Sequence, residues 1–378
     1  MASSWEYLET PSTEGIDAVF AAHRKLGADR GVLALVSEKD AALVAQLQAT
    51  AKRDGVELLG AIVPGLVVNR EFKRSGVLLA TFDASAPHKL LEVREQVGPT
   101  PDEAVGELAE FIEASASAEG NDTLFLLVDA TIPDVASLLD RLYLDVGDEV
   151  NYAGTCVGSE TFKRVPCLFD AERFVQGAVL ALMLRDHPGV TLAHHYRGGD
   201  ALKVATATKG SQVEKIDGRP AFDVYRDLMA SEYGIDLDKD SFYRYAVHFP
   251  FALNRAQGES LVRIPVAVGD DGSVVCSGEI SENALLSVVR AVEPEDLQTA
   301  HDVAAGARGP NVESVLAFYC AGRFMHLEQA AASSELAALS EDLSPLPLFG
   351  ALCLGEIGSS HHQYPAFHNA TITAMPWT

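Results

Sequence analysis

Short hydrophobic runs alternate along this chain with segments in which apolar residues recur at helical spacing. Val32–Val36 has the composition of a fully buried strand, and Ser37-Glu-Lys-Asp40 is a capping box that opens a helix. Two more apolar, strand-like runs follow, Val56–Val63 and Gly76–Phe82. The start of the chain therefore predicts a β-α-β-β unit.

The same order of elements occurs twice more. The second copy has a helix beginning at Thr100-Pro-Asp-Glu103, where a hydroxyl cap precedes proline and acidic residues. Its other predicted elements are strand Thr123–Asp129, a helix from about Pro133, a strand near Val150–Val157 and strand Phe174–Leu184. The third copy comprises strand Val315–Cys320, helix Leu327–Leu339 and strands Leu348–Leu354 and Thr371–Thr373. We predict at least three related units.

A glycine motif supports this repeat. Leu58-Leu-Gly-Ala-Ile-Val-Pro-Gly65 recurs as Leu348-Phe-Gly-Ala-Leu-Cys-Leu-Gly355, and more weakly as Tyr152-Ala-Gly-Thr-Cys-Val-Gly158. Glycine inside a strand allows close approach of another group to the backbone. The predicted fold is α/β with mixed α+β character, in which repeated β-α-β-β units form mixed sheets flanked by helices. We divide it into two domains, residues 25–186 and 190–377.

Composition narrows the classes of partner. The 378 residues carry a formal charge of −25, which repels phosphate backbones and anionic lipids. The N-terminus lacks the basic and apolar regions of a signal peptide, and the longest apolar run, Ala178–Leu184, is too short to span a bilayer. We expect a cytoplasmic protein that binds small molecules and proteins, with no nucleic acid and no membrane partner. The five cysteines are expected to be reduced thiols rather than disulfides or a zinc site.

Candidate chemistry begins at the end of the third predicted copy's first strand. A Cys320 thiol beside the Arg323 guanidinium and a helix N-terminus would have a lowered pKa, suited to a nucleophile, a redox sensor or a haem thiolate. The alternative is an inert core cysteine. Arg323 is suited to clamping a ligand carboxylate, or to a structural ion pair with Glu356.

The stretch Leu348–Met375 is where we expect a ligand pocket, because it gathers several polar side chains between two strands: Glu356, His361, His362, Tyr364, His368 and Asn369. Glu356 is suited to binding a ligand amine. Apposed Arg323 and Glu356 would then suit a zwitterion such as an amino acid. Asn369 either ties the loop by backbone hydrogen bonds or contacts the ligand. The predicted ligand-binding residues are Cys320, Arg323, Glu356, His368 and Asn369.

Several stretches, taken in order, resemble the FIST (F-box and intracellular signal transduction) sensory module, with its N-terminal and C-terminal parts. The resemblance covers roughly residues 25–377. It is carried by Gly210–Tyr225, Arg263-Ile-Pro-Val-Ala-Val, Phe318-Tyr-Cys-Ala-Gly-Arg323, Gly355-Glu-Ile and His368-Asn-Ala-Thr371. One departure follows Arg323, where Phe-Met-His-Leu-Glu replaces an expected smaller, often glycine-containing sequence.

The resemblance implies a sensory protein that binds a small ligand in signal transduction, with amino acids among the ligands proposed for the family. Some bacterial members bind haem and report nitric oxide to a histidine kinase or a cyclic-di-GMP enzyme. We expect no kinase or cyclase within this chain, and therefore signalling through a separate partner. Haem binding by this chain is the first alternative, although no CxxCH attachment motif is present.

Histidines are the candidate axial ligands if haem is bound, because neutral imidazole is a common axial ligand. His368 ranks first because it lies within the family-like motif, and the other candidates are His194, His195, His326, His361 and His362. No metal site is expected otherwise. Catalysis is not expected either, since no G-x-S-x-G, P-loop or HExxH motif occurs. The remaining alternative is a cysteine-dependent enzyme that uses Cys320 with His326.

Overall fold

A computed structural model of the chain describes residues 5–26, 30–93, 101–117, 120–255, 260–310, 312–359 and 364–377. Three six-stranded sheets and one larger sheet are formed by these residues. The first unit begins with an edge strand and contains two helices packed on its sheet. Its elements are β1 (Trp5–Leu8), α1 (Thr13–Leu26), β2 (Arg30–Ser37), α2 (Val44–Asp54), β3 (Leu58–Val63), β4 (Gly65–Val68), β5 (Glu71–Lys73) and β6 (Val77–Asp83).

The second unit repeats this order of strands and helices. Its elements are β7 (His88–Glu92), α3 (Pro101–Ser115), β8 (Thr123–Asp129), α4 (Val135–Val146), β9 (Asn151–Val157), β10 (Leu168–Asp170), β11 (Phe174–Val175) and β12 (Ala178–Leu184). The third unit starts with β13 (Thr191–Ala193) and is then interrupted by an insertion. The repeat predicted from the sequence is thus present in the element order.

The insertion forms the fourth sheet, here called the inserted sheet. It consists of β14 (Lys203–Lys209), β15 (Gln212–Ile216), β16 (Arg219–Pro220), α5 (Ala221–Tyr233), α6 (Phe242–Ala246), β17 (Phe251–Leu253), β18 (Leu261–Arg263), β19 (Pro265–Val268), β20 (Val274–Cys276) and β21 (Leu285–Val288). The third unit then resumes with α7 (Gln298–Ala307), β22 (Ser314–Cys320), α8 (Ala321–Leu343), β23 (Leu348–Cys353), β24 (Glu356–Gly358), β25 (Ala366–His368) and β26 (Ile372–Trp377).

Each unit lends a pair of strands to the sheet of another. In every unit a parallel pair (β2/β3, β8/β9 or β22/β23) is flanked by the antiparallel final strand. The strand after the parallel pair leaves its own sheet: β4 joins β23, β10 joins β3 and β24 joins β9. The exchange is cyclic, and the three units pack around a shared core. Within this core Phe125 stacks on Phe318, and Trp5 stacks on Phe349.

The repeated glycines have one structural role. Gly60, Gly154 and Gly350 lie in the second strand of the three parallel pairs, each opposite a residue of the first strand. A Cβ atom on Gly350 would lie 1.7 Å from the Ala317 carbonyl oxygen, and one on Gly154 would lie 2.0 Å from the Leu126 carbonyl oxygen. Glycine is therefore required at these positions, because the backbones of the two parallel strands are too close together to admit a side chain.

The α/β fold class and the repeated units are confirmed, whereas some local predictions are wrong. The predicted capping box does not form: residues 38–43 make a 3₁₀ turn before α2, and the Ser37 hydroxyl donates to the Arg74 carbonyl instead. Residues 354–371 contain β24 and β25, where a loop was expected. The domain limits of 25–186 and 190–377 stay a prediction. None of the helices among the described residues is long and apolar enough to cross a lipid bilayer.

Candidate functional site

The predicted site residues lie close together at the corner where β22, β24, β25 and β26 meet. Cys320 ends β22, Arg323 is in the first turn of α8, and Glu356 is the register partner of His368 across β24 and β25. Asn369 follows directly. All five side chains are buried. The residues grouped from the sequence are thus neighbours in the fold. The hydrogen bonds of each side chain determine which chemical role is open to it.

Arg323 is fully enclosed, and hydrogen bonds occupy its guanidinium group. Its Nε and Nη2 donate to the Glu335 carboxylate at 2.8 and 2.5 Å. Its Nη1 donates to the carbonyl oxygens of His194 and Ala370, and Nη2 also donates to the Thr299 hydroxyl at 2.9 Å. All five N–H groups of an arginine are thereby used.

The pairing of Arg323 with Glu356 is wrong, because the partner carboxylate is that of Glu335, on the same helix. Burial lowers the pKa of Arg323, but the adjacent Glu335 carboxylate outweighs burial, so the pKa is raised overall. The pair is a buried, bidentate salt bridge with 0% and 2% of the two side chains exposed. A ligand-clamping role for Arg323 stays a prediction, and it would require these internal bonds to be exchanged.

Glu356 is a buried carboxyl group without a cationic partner among the described residues. It accepts hydrogen bonds from the Cys353 thiol at 3.0 Å and from the Thr371 amide and hydroxyl at 3.2 and 2.5 Å. Burial raises its pKa to about 7, and those hydrogen bonds oppose the shift only in part. Glu356 is therefore a mixture of acid and carboxylate near neutral pH.

The Cys320 thiol lies in the same cluster. Its sulfur accepts a hydrogen bond from the Ala370 amide at 3.1 Å. Burial raises its pKa, and the nearby Glu356 raises it further, so the predicted lowering of the pKa is wrong. A neutral, enclosed thiol has little nucleophilic character, which matches the inert core cysteine considered as the alternative. Contact between Cys320 and a ligand stays a prediction.

His368 and Asn369 connect the cluster to the inserted sheet. The Asn369 side-chain oxygen accepts a hydrogen bond from the Ser277 hydroxyl at 3.0 Å, so asparagine ties the corner to the inserted sheet through a side chain. Burial, helped by His194 and Arg263, lowers the pKa of His368 to about 3 and keeps the imidazole neutral. Its Nδ1 is buried and has no partner among the described residues.

Haem binding by this chain stays a prediction. The first candidate ligand, His368, has a buried Nδ1 without a partner among the described residues, and burial keeps its imidazole neutral. His361 and His362 lie outside the described residues. Each of the other candidates has one ring nitrogen in an internal contact: His194 with the Ser260 carbonyl, His195 with Asp302, and His326 with the Val292 carbonyl. Among the described residues, no group of three or more His, Cys, Asp or Glu side chains is placed to hold a metal ion.

An open cavity of about 750 Å³ is lined in part by Ala366 and Phe367 of β25, the strand that also contains His368. Its walls come from α4 of the second unit, from the inserted sheet, and from residues 364–367 of the third unit. Its charged lining residues are Asp140, Arg255, Arg263 and Glu279. A cavity of this size, shared by three parts of the fold, is typical of small-molecule sites.

Arg263 is the most unusual of these lining residues. Only 2% of it is exposed, yet its hydrogen bonds go to backbone carbonyls alone, those of Val262, Glu279 and Phe367. It forms no ion pair with a described carboxylate. Burial lowers its pKa to about 10, so the guanidinium still carries its charge at neutral pH. The guanidinium carbon also lies 5.4 Å from the centre of the Phe367 ring.

The carboxyl groups of the cavity do not neutralise Arg263 directly. Glu279 caps the N-terminal turn of α4, accepting from the Ser137 amide at 3.1 Å and from the Ser137 hydroxyl at 2.5 Å. Burial raises the pKa of Glu279, and desolvation also raises the pKa of Asp140. The cavity thus presents a permanent buried cation beside two carboxyl groups that are easier to protonate than usual.

Sequence reasoning missed Arg263 as a site residue. Its segment was used only as a family-like stretch, and the cavity depends on α4 and β18, which are far apart in the chain. The available signal was a single charge inside the apolar run Leu261–Val268. A buried arginine in a strand requires either a partner or a ligand.

Comparison with known proteins agrees with the sequence motifs. The model of the FIST N domain matches residues 32–219, and that of the FIST C domain matches residues 221–359. No curated protein matches the chain. Together the two matches span most of the described sheets, including the inserted sheet and Cys320, Arg323 and Glu356 of the candidate cluster, whereas His368 and Asn369 lie beyond the matched residues. The chain therefore belongs to the FIST family, whose domains are associated with sensors of signal transduction.

Proposed function

We propose that this protein is a cytoplasmic sensor that binds a small molecule bearing a carboxylate in the cavity beside β25, releases it unchanged, and signals through a separate protein partner. The observation that carries the proposal is Arg263, a buried guanidinium at the cavity wall with no described carboxylate partner. Burying a charge is costly unless it is paired. A ligand carboxylate would supply the missing counter-charge.

The geometry of Arg263 leaves room for that contact. Nε and Nη1 are used by carbonyl oxygens, whereas Nη2 makes no hydrogen bond to a described residue. Hydrogen bonds between a guanidinium and a carboxylate are stronger than those to neutral carbonyls. An anionic ligand therefore gains more from this position than a neutral one does.

The location of the cavity offers a route for a conformational signal. A ligand at Arg263 would touch α4, the inserted sheet and β25 together. Arg263 also donates to the carbonyl of Phe367, the residue before His368, so β25 links the cavity to the Glu356 cluster. Because Glu356 has a pKa of about 7, a small change in its surroundings changes its protonation.

Binding is tested on the full chain with a panel of acetate, succinate, citrate, glycine and glutamate. Thermal-shift screening selects binders, and isothermal titration then compares wild type with Arg263→Met. We expect affinity to fall by about 10- to 100-fold, the worth of one charge-assisted hydrogen-bonded contact. The matched control is Arg219→Met, whose exposed guanidinium pairs with Asp227 and should leave affinity unchanged.

Two results would overturn the proposal. If Arg263→Met binds the ligand as tightly as wild type does, Arg263 is not part of the binding site. If no compound in the panel binds, the ligand is not a small carboxylate. Mass spectrometry of the recovered ligand separates a sensor from an enzyme. A ligand returned intact after long incubation supports sensing, whereas steady conversion would favour catalysis.

A further inference from the structure

A second cavity, of about 400 Å³, lies between α8 and the segment that follows β21. Two histidines face each other at its wall: the Nδ1 atoms of His248 and His326 are in direct contact, and the ring centres are 4.6 Å apart. The proposed carboxylate site does not involve these residues. Their arrangement therefore needs its own explanation.

The tautomer of His326 is fixed by its surroundings. Its Nε2 lies 3.1 Å from the Val292 carbonyl oxygen, and since a carbonyl only accepts, Nε2 must carry the proton. Nδ1 of the neutral ring then presents its lone pair to His248 and accepts a hydrogen bond from the His248 Nδ1–H. An imidazole that donates one N–H to a backbone carbonyl and presents its other nitrogen is the usual arrangement of a metal-binding histidine.

The backbone holds His248 against the same segment. Its carbonyl accepts from the Ala291 amide at 2.8 Å, and its own amide donates to the Tyr245 carbonyl at 2.9 Å. Residues 291 and 292 thus anchor both histidines. The His326 ring also packs edge-on against the Tyr196 ring, with the ring centres 6.2 Å apart.

A carboxylate lies on the same cavity in an unusual conformation. Glu328 interrupts α8 with φ 57° and ψ 170°, a backbone region that is close to glycine-only. A non-glycine residue in this region is strained, and such residues cluster at functional sites. The side chain is exposed, lines the cavity, and its charge acts on His248. The neighbouring Glu293 is instead paired with Arg290.

We infer that His248, His326 and Glu328 form a site for a late first-row divalent transition metal, of which Zn²⁺ is the simplest probe. The two Nδ1 atoms are the ligands already in place. Glu328 completes the set by rotating its exposed side chain, which explains why no three-residue group is preformed among the described residues. Water fills the remaining position from the open cavity.

The chemistry of these donors selects the class of metal. Imidazole with carboxylate suits Zn²⁺, Cu²⁺ and Ni²⁺ better than Mg²⁺ or Ca²⁺, which prefer oxygen ligands alone. Bonds of about 2.0–2.1 Å from one ion to both nitrogens require the rings to separate from their present contact. The cavity beside them provides that space. When the metal binds, the proton that His248 carries on Nδ1 and directs at His326 is exchanged through solvent to its Nε2, so His248 remains a neutral imidazole.

The test uses untagged full-length protein that has been stripped with a chelator and dialysed. Isothermal titration with ZnCl₂ should show one ion per chain, and CoCl₂ should give the absorption bands of a tetrahedral site. His326→Gln and His248→Gln should each weaken Zn²⁺ binding by at least about 100-fold, since even outer partners of metal ligands contribute 10- to 100-fold. Glu328→Gln should weaken it by about tenfold.

Matched controls separate ligation from folding. His326→Gln retains an amide that can donate to the Val292 carbonyl, and its thermal unfolding shows whether the fold is kept. His301→Gln changes a histidine paired with Asp342 outside this cavity and should bind Zn²⁺ like wild type. The inference is overturned if wild type binds no stoichiometric metal, or if both folded His→Gln variants bind it as tightly as wild type does.

Discussion

Two buried arginines, Arg323 and Arg263, have different electrostatic surroundings. Arg323 lies within the third unit and meets the Glu335 carboxylate through two hydrogen bonds. Arg263 lies at the edge of the inserted sheet and meets only carbonyl oxygens. The pKa of Arg323 is raised by its partner, whereas the pKa of Arg263 is lowered to about 10 by burial.

The difference shows that burial alone does not mark a binding residue. A fully paired guanidinium stabilises the surrounding packing and has no donor left for a ligand. An unpaired one beside a cavity lowers stability until a counter-charge arrives. We therefore propose a structural role for Arg323 and a recognition role for Arg263, and the following predictions test this division.

The largest effect is expected from Arg323→Met. This change leaves Glu335 buried without its cation, and breaking a buried pair costs about 3–5 kcal/mol of unfolding free energy. Chemical denaturation monitored by circular dichroism measures the loss. The double variant Arg323→Met with Glu335→Leu should lose less than the sum of the two single changes, because it leaves no isolated charge.

An exposed ion pair provides the comparison for that experiment. Arg219 and Asp227 are 2.8 Å apart with about half of each side chain exposed, so Asp227→Asn should cost at most about 1 kcal/mol. If Arg323→Met lowers the free energy of unfolding by as little as Asp227→Asn does, Arg323 does not have the proposed structural role.

The sequence predicted local structure better than pairing between distant segments. The glycines at positions 60, 154 and 350 could be recognised because their requirement is local, namely close approach within a parallel pair. The exchange of β4, β10 and β24 between sheets could not be recognised, because no short sequence pattern specifies which distant strand a given strand will pair with. The same limit applies to the cavity, whose walls meet only in the folded chain.

The site shows this limit in single residues. An ion pair with Glu356 was the structural alternative for Arg323 because ion-pair networks are common, but the helix carrying Arg323 also carries Glu335, whose carboxylate meets the guanidinium in the fold. The pKa of Cys320 was expected to fall because of the nearby guanidinium. In the folded chain that guanidinium is neutralised by Glu335, and loss of solvent around the thiol dominates.

A smaller effect is expected from the pH dependence of Glu356. Its pKa is about 7 when folded and 4.5 in an ordinary setting, so the folded state binds its proton more tightly. Stability from this group is complete below pH 4.5 and is lost as the pH rises to about 7. The loss is about 3 kcal/mol, since a tenfold change in proton affinity is worth about 1.4 kcal/mol.

Glu356→Gln separates this contribution from other titrations. Unfolding free energies of wild type and variant, measured between pH 5 and 8, should show the variant gaining relative stability as the pH rises. The low pKa of His368 acts in the opposite direction at acid pH, but it is common to both proteins and cancels in the difference. A difference that is flat across this range would contradict the raised pKa.

Arg263→Met should cost less than Arg323→Met in the absence of ligand. The change leaves three carbonyl oxygens without their donor, worth about 1–2 kcal/mol, and removes a desolvated charge, which offsets part of that cost. Denaturation of both variants under the same conditions measures the gap. Equal losses would mean that Arg263 is as structural as Arg323, and would leave the cavity without its proposed anchor.

The smallest effect concerns Asp140, a carboxyl group on the cavity wall whose charge acts on Arg263. Asp140→Asn removes a negative charge, so a simple carboxylate such as acetate should bind about two- to fivefold more tightly, the range of a solvent-screened charge pair. Glycine, which also carries an ammonium group, should instead bind more weakly if Asp140 receives that group. Titrating both ligands into both proteins thus distinguishes an anion site from a zwitterion site, and unchanged affinities for both would place the ligand away from Asp140.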